Sequence, residues 1–531
     1  MSNHTASLTP NSNSQPRIDL RWVLLVALLI LGLGLRLLDL TDPPLDFHPS
    51  RQLRAAIIAR GMYAEMLDSR LGAPTWLESS PWAGITPSNL DSDQRQSAIN
   101  MWRSMAIYEP QIFERLVAVS YWLLGAEILW VARLYSALFW ILGGIALFEL
   151  ARRTTSFQGG ILALAFYLFL PFSVSASRSF QPDPLMVSLI LWAAYSAYRW
   201  SEEKTWRWAI ATGIISSLAV LIKAPAALQI GLMLTFLVLV SWGFKQAIRQ
   251  PQVWLVVALS VSLPMIFYIL QRGTRSSAYL DFWSTSFSDM LLEPGFYIRW
   301  LLFLQHNVMG ISLFFIGLAG IALLSSRVRA IALGLWIGYG CSGLMMPYLI
   351  ASHDYYSLPL VPAVALSLAP LVAPITQIIS RQSMPWKFIF YATLSVALAY
   401  PVWLTRSAML ARDYRPEIIG WQIIGQELPQ DEPIIAITHD YGHRLRYYGW
   451  VSVDLWPSSS DQALAALRSG NPADTLIEFN GLTEGYGYFL VTLPNQLAAQ
   501  PQLSEILNNN YPLLAEGSGY LLFDLNPTPN P

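Results

Sequence analysis

Residues 177–228 read SRSFQPDPLMVSLILWAAYSAYRWSEEKTWRWAIATGIISSLAVLIKAPAAL. Two long apolar runs, 184–199 and 208–223, are separated by a short break that holds Arg199, Lys204 and Arg207. Asp183 precedes the first run and Lys223 ends the second. Apolar runs with short charged breaks are typical of membrane-spanning helices, and a charge beside hydrocarbon is costly and usually functional. This stretch therefore predicts a membrane protein with a polar site at the helix ends.

The composition extends this interpretation to the whole chain. Of 531 residues, 54% are hydrophobic and only 13% are charged, whereas soluble domains carry about a quarter charged residues. A net charge of −1 gives no indication of nucleic-acid binding, and the single Cys341 excludes an intrachain disulfide. The runs that we predict to cross the membrane are 22–40, 131–150, 159–177, 184–199, 208–223, 225–243, 253–270, 300–324, 331–350, 357–379 and 387–405.

The distribution of arginine and lysine predicts the orientation. Cations cluster in alternate breaks, which marks those breaks as cytoplasmic. The cytoplasmic clusters are Arg152/Arg153, Arg199/Lys204/Arg207, Lys245/Arg249, Arg327/Arg329 and Arg381/Lys387, joined by Arg17 and Arg21. We therefore predict a multi-pass membrane protein, and its compact loops and short N-terminal tail favour a bacterial inner (plasma) membrane over an endoplasmic one. Its N-terminus, a disordered segment over 1–21, is cytoplasmic, and its C-terminus lies on the outer, periplasmic side.

Three segments organise the predicted chain. Residues 22–405 form an all-α polytopic membrane domain of about 11 transmembrane helices, within which 41–130 is a large outer segment. Its stretches 51–68 and 113–125 are predicted to be helices that lie in the membrane interface. Residues 406–531 are polar and contain the strand-like runs 433–438, 487–493 and 519–525 between helix-like stretches. They predict a small extracytoplasmic α/β domain.

The breaks on the predicted outer face carry a different set of polar side chains. A carboxylate such as Asp46 at the membrane surface can act as a general base, although an aspartate before a helix is more often a cap. Asp183 lies between two prolines in a tight loop, where an ion pair with Arg178 is the structural alternative. The other members of the set are Arg51, Glu109, Lys223, His353 and Tyr356.

Lys223 is a cation on the acidic side of the membrane, so it needs an anionic partner, for example a lipid-linked phosphate. The structural alternative is snorkelling to the lipid headgroups. His353 and Tyr356 could donate to the same phosphate, or the tyrosine could be an interfacial anchor. Two weaker groups also stand out: Asp289, Glu293 and Tyr297, and the sequence HDYGH at 439–443, which we interpret as an ordinary loop after a strand.

In combination, four segments resemble the polyprenyl-phosphate-sugar-dependent GT-C glycosyltransferases, which include protein O-mannosyltransferases, aminoarabinose transferases and Rgt-like enzymes. The segments are YEPQIFERLVAVSYWLLGAEILWVARLYSALF (108–139), SRSFQPDPLM (177–186), LIKAPAAL (221–228) and HDYYSLPLVPAVAL (353–366). Glu109-Pro110 stands where His-Pro is common in that family. No nucleotide-binding P-loop, GxSxG or GxGxxG motif suggests a soluble-enzyme site instead.

The resemblance implies a GT-C fold and an inverting transfer of a sugar from a polyprenyl-phosphate donor on the outer face. It implies that Asp46 is the general base and that Lys223, His353, Tyr356 and Arg51 bind the donor phosphate. Asp183 and Glu109 would organise the site, through a divalent cation or through the acceptor; no other cofactor is implied. The acceptor, whether protein, lipid or polysaccharide, stays open.

Two other classes of function compete with this reading. A transporter or flippase of a lipid-linked or anionic solute would place its charges near the bilayer midplane and often shows paired halves. A membrane scaffold whose outer domain binds a partner would leave Lys223 and Asp183 unexplained. The predicted position of the charges at helix ends favours the transferase.

Overall fold

The computed structural model describes residues 19–68, 90–271, 282–469, 474–517 and 519–526. Most of the predicted disordered segment 1–21 lies outside these residues, and the first helix begins at Leu20. The helices up to the last apolar one are α1 (Leu20–Arg36), α2 (Pro49–Asp68), α3 (Ser92–Arg103), α4 (Ile112–Leu124), α5 (Trp130–Thr154), α6 (Phe157–Phe169), α7 (Pro171–Ala176), α8 (Asp183–Glu203), α9 (Trp206–Ile222), α10 (Ala226–Trp242), α11 (Phe244–Ala247), α12 (Pro251–Leu270), α13 (Pro294–Asn307), α14 (Ile311–Gly320), α15 (Ser326–Met345), α16 (Pro347–Ile350), α17 (Leu360–Leu368), α18 (Val372–Ser380) and α19 (Met384–Leu410).

A helix occupies every stretch that was predicted to span the membrane. Within the described residues, five helical segments are long and apolar enough to cross a bilayer, and α6, α9 and α10 are shorter apolar helices. The predicted number of about eleven spans therefore stays a prediction. The span predicted over 300–324 is not one continuous helix, because α13 and the Ile311–Leu323 segment are bent by 103° where residues 308–310 interrupt the helix, and its crossing of the membrane stays a prediction.

Helices α10 and α15 approach each other closely at two glycines of α15. A Cβ on Gly334 would lie 2.2 Å from Met233 Cα, and one on Gly338 would lie 2.5 Å from Gln229 Cα. Two glycines four residues apart let helices approach in this way, as in small-xxx-small membrane contacts. This contact fixes α10, which begins three residues after Lys223.

The first outer segment forms a second core together with the C-terminal domain. Leu53 and Ile57 of α2 and Tyr121 of α4 are buried in one cluster with Trp421 and Tyr447. Helix α4 has 13 residues, fewer than the roughly 20 needed to span a membrane. Its placement in the membrane interface stays a prediction.

The C-terminal domain is a small α/β domain with one sheet, as we predicted from the sequence. Its elements are α20 (Arg415–Glu427), β1 (Ile434–Ile437), β2 (Asp454–Leu455), α21 (Ser459–Ser469), α22 (Thr475–Thr483), β3 (Tyr488–Val491), α23 (Pro494–Ala498), α24 (Pro501–Asn510), β4 (Leu513–Gly517) and β5 (Tyr520–Asp524). The strand order is β2-β1-β3-β5-β4, with β1 parallel to β2 and β3 and with β5 antiparallel to β3 and β4. The sequence missed β2, which has two residues, and β4, which lies at the edge.

Candidate functional site

The first residue of α8, Asp183, is held by two cations. It is 1% exposed, and its Oδ1 lies 2.7 Å from Lys223 Nζ, which is also buried. Its Oδ2 lies 3.3 Å from a guanidinium nitrogen of Arg51 in α2. Because Asp183 begins α8 and Lys223 directly follows α9, the pair joins the adjacent ends of two neighbouring apolar helices.

This arrangement excludes two structural alternatives that the sequence left open, namely an ion pair between Asp183 and Arg178 and a Lys223 side chain that extends to the lipid headgroups. Arg178 does not pair with Asp183; it donates instead to the carbonyls of Leu38 and Asp39, which follow α1. Lys223 does not snorkel to the surface, since its ammonium group is buried against Asp183. A buried charge is stable only when it is paired, so the carboxylate explains how a lysine is tolerated here.

Two adjacent tyrosines complete the group, which we call the Asp183 cluster (Arg51, Asp183, Lys223, Tyr355 and Tyr356). The guanidinium carbon of Arg51 lies 3.9 Å from the centre of the Tyr355 ring. Lys223 Nζ lies 5.0 Å from the Tyr355 ring centre and 4.7 Å from that of Tyr356. Sequence reasoning selected Tyr356 and missed Tyr355, although the aromatic pair YY was visible in the motif.

Glu109 faces the same cations from the loop before α4. The positive charges of Lys223, Arg51 and Arg54 act on it, but desolvation outweighs them and raises its pKa. Burial also raises the pKa of the neighbouring Glu114 to about 7. Protonation of these carboxyl groups reduces the negative charge that opposes an anionic ligand.

The histidines are placed around this cluster. His48 Nε2 lies 2.6 Å from Asp354 Oδ1, which ties the first outer segment to the turn that carries Tyr355. His353 Nδ1 contacts the hydroxyl of Ser352 at 2.8 Å. Burial, together with the positive charge of nearby groups, lowers the pKa of His353 to about 4, so at neutral pH it offers hydrogen bonds without charge.

Asp46 makes a separate ion pair next to the cluster. Its Oδ2 accepts a hydrogen bond from Arg133 at 2.7 Å, and its Oδ1 accepts one from Gln52 at 3.2 Å. The interpretation of Asp46 as a backbone cap of α2 is wrong, because the helix begins at Pro49 and the contact comes from the Gln52 side chain. The Asp46 side chain stays 26% exposed, whereas Arg133 is buried at 1%. Sequence reasoning did not foresee the Arg133 pairing.

A small cavity adjoins the cluster at Tyr356. Its volume is about 20 Å³, enough for about one water molecule. It is lined by Met186, Pro225, Ala226, Gln229, Ser342, Met346, Ile350, Tyr356 and Pro359. The walls come from α8, α10, α15 and α16, so a mainly apolar space lies directly beside the charged group.

The residues present do not fit a divalent cation at Asp183 and Glu109. Both oxygens of Asp183 already contact cationic groups, and Lys223 and Arg51 would repel a metal ion. In the part of the chain that the structure describes, no group of three or more His, Cys, Asp or Glu side chains could hold a metal. The side chains of the HDYGH segment have protein partners instead: His439 contacts Thr492, and Asp440 pairs with Arg444.

Comparisons with known proteins agree with the fold. Residues 109–268 match the family model described as dolichyl-phosphate-mannose-protein mannosyltransferase. The structure of ArnT from Cupriavidus metallidurans bound to undecaprenyl phosphate aligns over 95% of this chain and 98% of its own, with 17% identity and a TM-score of 0.53. A search of curated proteins finds no match to this chain.

A second type of solved structure is also similar. The archaeal oligosaccharyltransferase AglB from Archaeoglobus fulgidus, in complex with an inhibitory peptide and a dolichol-phosphate, aligns over 89% of this chain and 69% of its own. The identity is 13% and the TM-score 0.55. At these identities the likeness establishes the fold, which is the GT-C-type architecture that the sequence resemblance implied.

Proposed function

We propose that the protein is an integral membrane glycosyltransferase that transfers a sugar from a polyprenyl-phosphate donor to an acceptor on the outer face of a bacterial inner membrane. The observation that carries the proposal is the Asp183 cluster, in which the buried Lys223 and the half-buried Arg51 contact the two oxygens of a single buried carboxylate. The fold is shared with two proteins whose structures contain a polyprenyl phosphate. The match of residues 109–268 to a mannosyltransferase family model supports the same class of chemistry.

The phosphate of the donor would bind at Arg51 and Lys223. When the bond from the sugar to the phosphate breaks, the phosphate gains negative charge, and cations positioned before the reaction stabilise that charge most in a site with little water. Tyr355 and Tyr356 hold the two cations in place through their ring faces. His353 and the Tyr356 hydroxyl would add hydrogen-bond donors, while Asp183 keeps the cations oriented.

Asp46 would remove the proton from the acceptor as the new glycosidic bond forms. Its partly exposed carboxylate could receive that proton, and Arg133 and Gln52 would orient it. Attack by the acceptor from the side opposite the leaving phosphate inverts the anomeric carbon. Glu109 would help to hold the donor or acceptor through a hydrogen bond.

The location of the charges supports a transferase over a transporter. Asp183 and Lys223 lie at helix ends, whereas a transported solute is typically bound near the bilayer midplane. In the orientation predicted from the Arg/Lys-rich breaks, these helix ends lie at the outer face of the membrane.

The test uses the full chain in proteoliposomes with a panel of undecaprenyl-phosphate-linked hexoses and pentoses. Release of undecaprenyl phosphate together with an elongated acceptor in a membrane extract supports the proposal. An inactive wild-type protein, with every donor intact after incubation, would overturn it.

A further inference from the structure

A groove separates the first outer segment from the C-terminal domain, apart from the Asp183 cluster. Its volume is about 540 Å³, within the usual range for ligand sites. It is lined by Asp93 and Gln94 of α3, by Gln422 and Gln426 of α20, and by Tyr448 and Trp450, which precede β2. Gln94 also accepts a hydrogen bond from the Asp91 N–H at the start of α3, and Tyr448 packs in the second core, whereas neither role applies to Gln422 and Gln426.

The two glutamines present free carboxamides to the groove. Gln422 and Gln426 are four residues apart on one face of α20, and both are exposed. Neither makes a hydrogen bond to another group in the described part of the chain. Each carboxamide offers two donors and an acceptor, which is the combination that sugar hydroxyls satisfy in pairs.

Tyr448 gives an independent indication of a ligand. The residue is 7% exposed, and its hydroxyl is buried without a hydrogen-bond partner among the described residues. A buried polar group that is left unpaired destabilises the fold. The hydroxyl itself has almost no exposed surface, so a ligand hydroxyl would pair with it after a small displacement of the ring toward the groove.

Trp450 provides an apolar surface in a strained position. Its φ of 60° places an aromatic residue in the left-handed region, where strain is often associated with functional sites. The guanidinium of Arg60 lies 4.4 Å from its ring centre and fixes the orientation of the indole. An indole ring can pack against the C–H face of a sugar ring while the neighbouring polar groups bind its hydroxyls.

We propose that this groove binds an oligosaccharide and is the acceptor-holding subsite of the protein; the second half of this inference rests on the glycosyltransferase activity proposed above. Asp93 is the one formally charged residue among the described residues that line it, so the sugar is neutral or amino-bearing and not anionic. Arg60, which contacts Trp450, follows Arg51 by nine residues in α2, about 14 Å along the helix axis. A short glycan chain would bridge that separation and bring its growing end to the Asp183 cluster.

The experiment measures the binding of maltopentaose, mannopentaose and chitopentaose to the full-length protein in detergent, by saturation-transfer NMR and calorimetry. The test variant is Gln422→Ala/Gln426→Ala, in which both substitutions are on an exposed helix face. The control is Gln96→Ala/Gln430→Ala, also exposed and outside the groove. We expect at least one pentasaccharide to bind the wild type, with affinity at least tenfold weaker in the test variant and within twofold in the control.

Two results would overturn the groove site: absence of binding of all three sugars to the wild type, or equal binding to the wild type and the test variant. Sugar transfer from the undecaprenyl-phosphate donors is measured in parallel. If the wild type binds saccharide but transfers nothing, the transferase proposal fails and the binding site stands. Transfer at the same rate in the wild type and the test variant would refute the acceptor role alone.

Discussion

Lys223 and Asp183, which are 40 residues apart in the chain, form a buried ion pair with 2.7 Å between Nζ and Oδ1. Lys223 is 4% exposed and Asp183 is 1% exposed. The pair has two separable effects, because a buried partner stabilises the fold and a buried cation can bind phosphate. Variants of the two residues can distinguish these effects.

We expect Lys223→Met to destabilise the protein by about 3 kcal/mol, because Asp183 then keeps only the longer contact to Arg51. The double variant Lys223→Met/Asp183→Leu removes both charges and should recover much of that stability. Neither variant should bind the donor, since the phosphate loses Lys223. Thermal unfolding in detergent and binding of undecaprenyl phosphate by native mass spectrometry measure the two effects. A double variant that binds the lipid as tightly as the wild type would contradict a phosphate-binding role for Lys223.

Asp46→Asn should lower the turnover about 100-fold or more, the usual contribution of a general base. The amide keeps one oxygen, so it can accept from Arg133 or from Gln52 but not from both, and thermal unfolding in detergent separates a loss of stability from the loss of turnover. Steady-state transfer assays give the turnover, and Asp39→Asn, which changes a carboxylate paired with Arg415, is the matched control. Wild-type turnover in Asp46→Asn would rule out its role as the base.

The Tyr355 ring should contribute through its face and not through its hydroxyl. Tyr355→Phe keeps the ring beside Arg51 and Lys223, so we expect its KM for the donor to stay within threefold of the wild-type value. Tyr355→Leu removes two cation–π contacts of about 0.5–2 kcal/mol each and should raise that KM about tenfold. A loss in the Phe variant as large as in the Leu variant would instead indicate that the hydroxyl group is required.

We expect His443 to reduce the free energy of unfolding as the pH falls from neutral to mildly acidic. Burial, aided by Arg446 and Arg54, lowers its pKa to about 3, against about 6.5 in an unfolded chain. Between these values the unfolded state binds the extra proton, so stability is full above pH 6.5 and decreases as the pH falls. At pH 5 this loss amounts to about 2 kcal/mol.

The variant His443→Gln should therefore show a smaller drop in apparent Tm between pH 7.5 and pH 5 than the wild type. The exposed His306→Gln serves as control and should keep the wild-type pH dependence. An unchanged slope in His443→Gln would show that the histidine is not buried in its neutral form.

Chelation should leave transfer unaffected, because both Asp183 oxygens contact cations of the protein. Transfer is measured after EDTA treatment and dialysis, then again after addition of Mg²⁺, Mn²⁺ or Zn²⁺. Activity that disappears with EDTA and returns with one of these ions would show that a metal displaces Lys223 or Arg51.

Much of the helical architecture could be predicted, because a helix that crosses the hydrocarbon core needs a long apolar run, and such runs can be recognised in a sequence. The bend after α13 could not be predicted. The segment from Asn307 to Gly310 contains no proline, and it interrupts a run that is otherwise apolar. The short strand β2 also escaped, because two residues carry no alternating pattern.

The members of the Asp183 cluster could be selected one at a time, since each charge is unusual beside an apolar run. Their pairing could not be deduced, because Arg51, Asp183 and Lys223 come from separate parts of the chain. Arg178 was the nearer candidate in sequence, but its guanidinium binds backbone carbonyls after α1. Arg133 lies in a segment that resembles the family, but its contact with Asp46 is visible only in the fold.

The buried contacts of Asp183 also constrain biogenesis. During synthesis Arg51 and Asp183 emerge well before Lys223, and the tyrosines at 355 and 356 follow much later. In the nascent chain, Arg51 and Asp183 therefore lack some of their partners until the downstream helices have been inserted. Ribosome stalling or premature termination between these positions would leave a product that quality-control proteases can recognise.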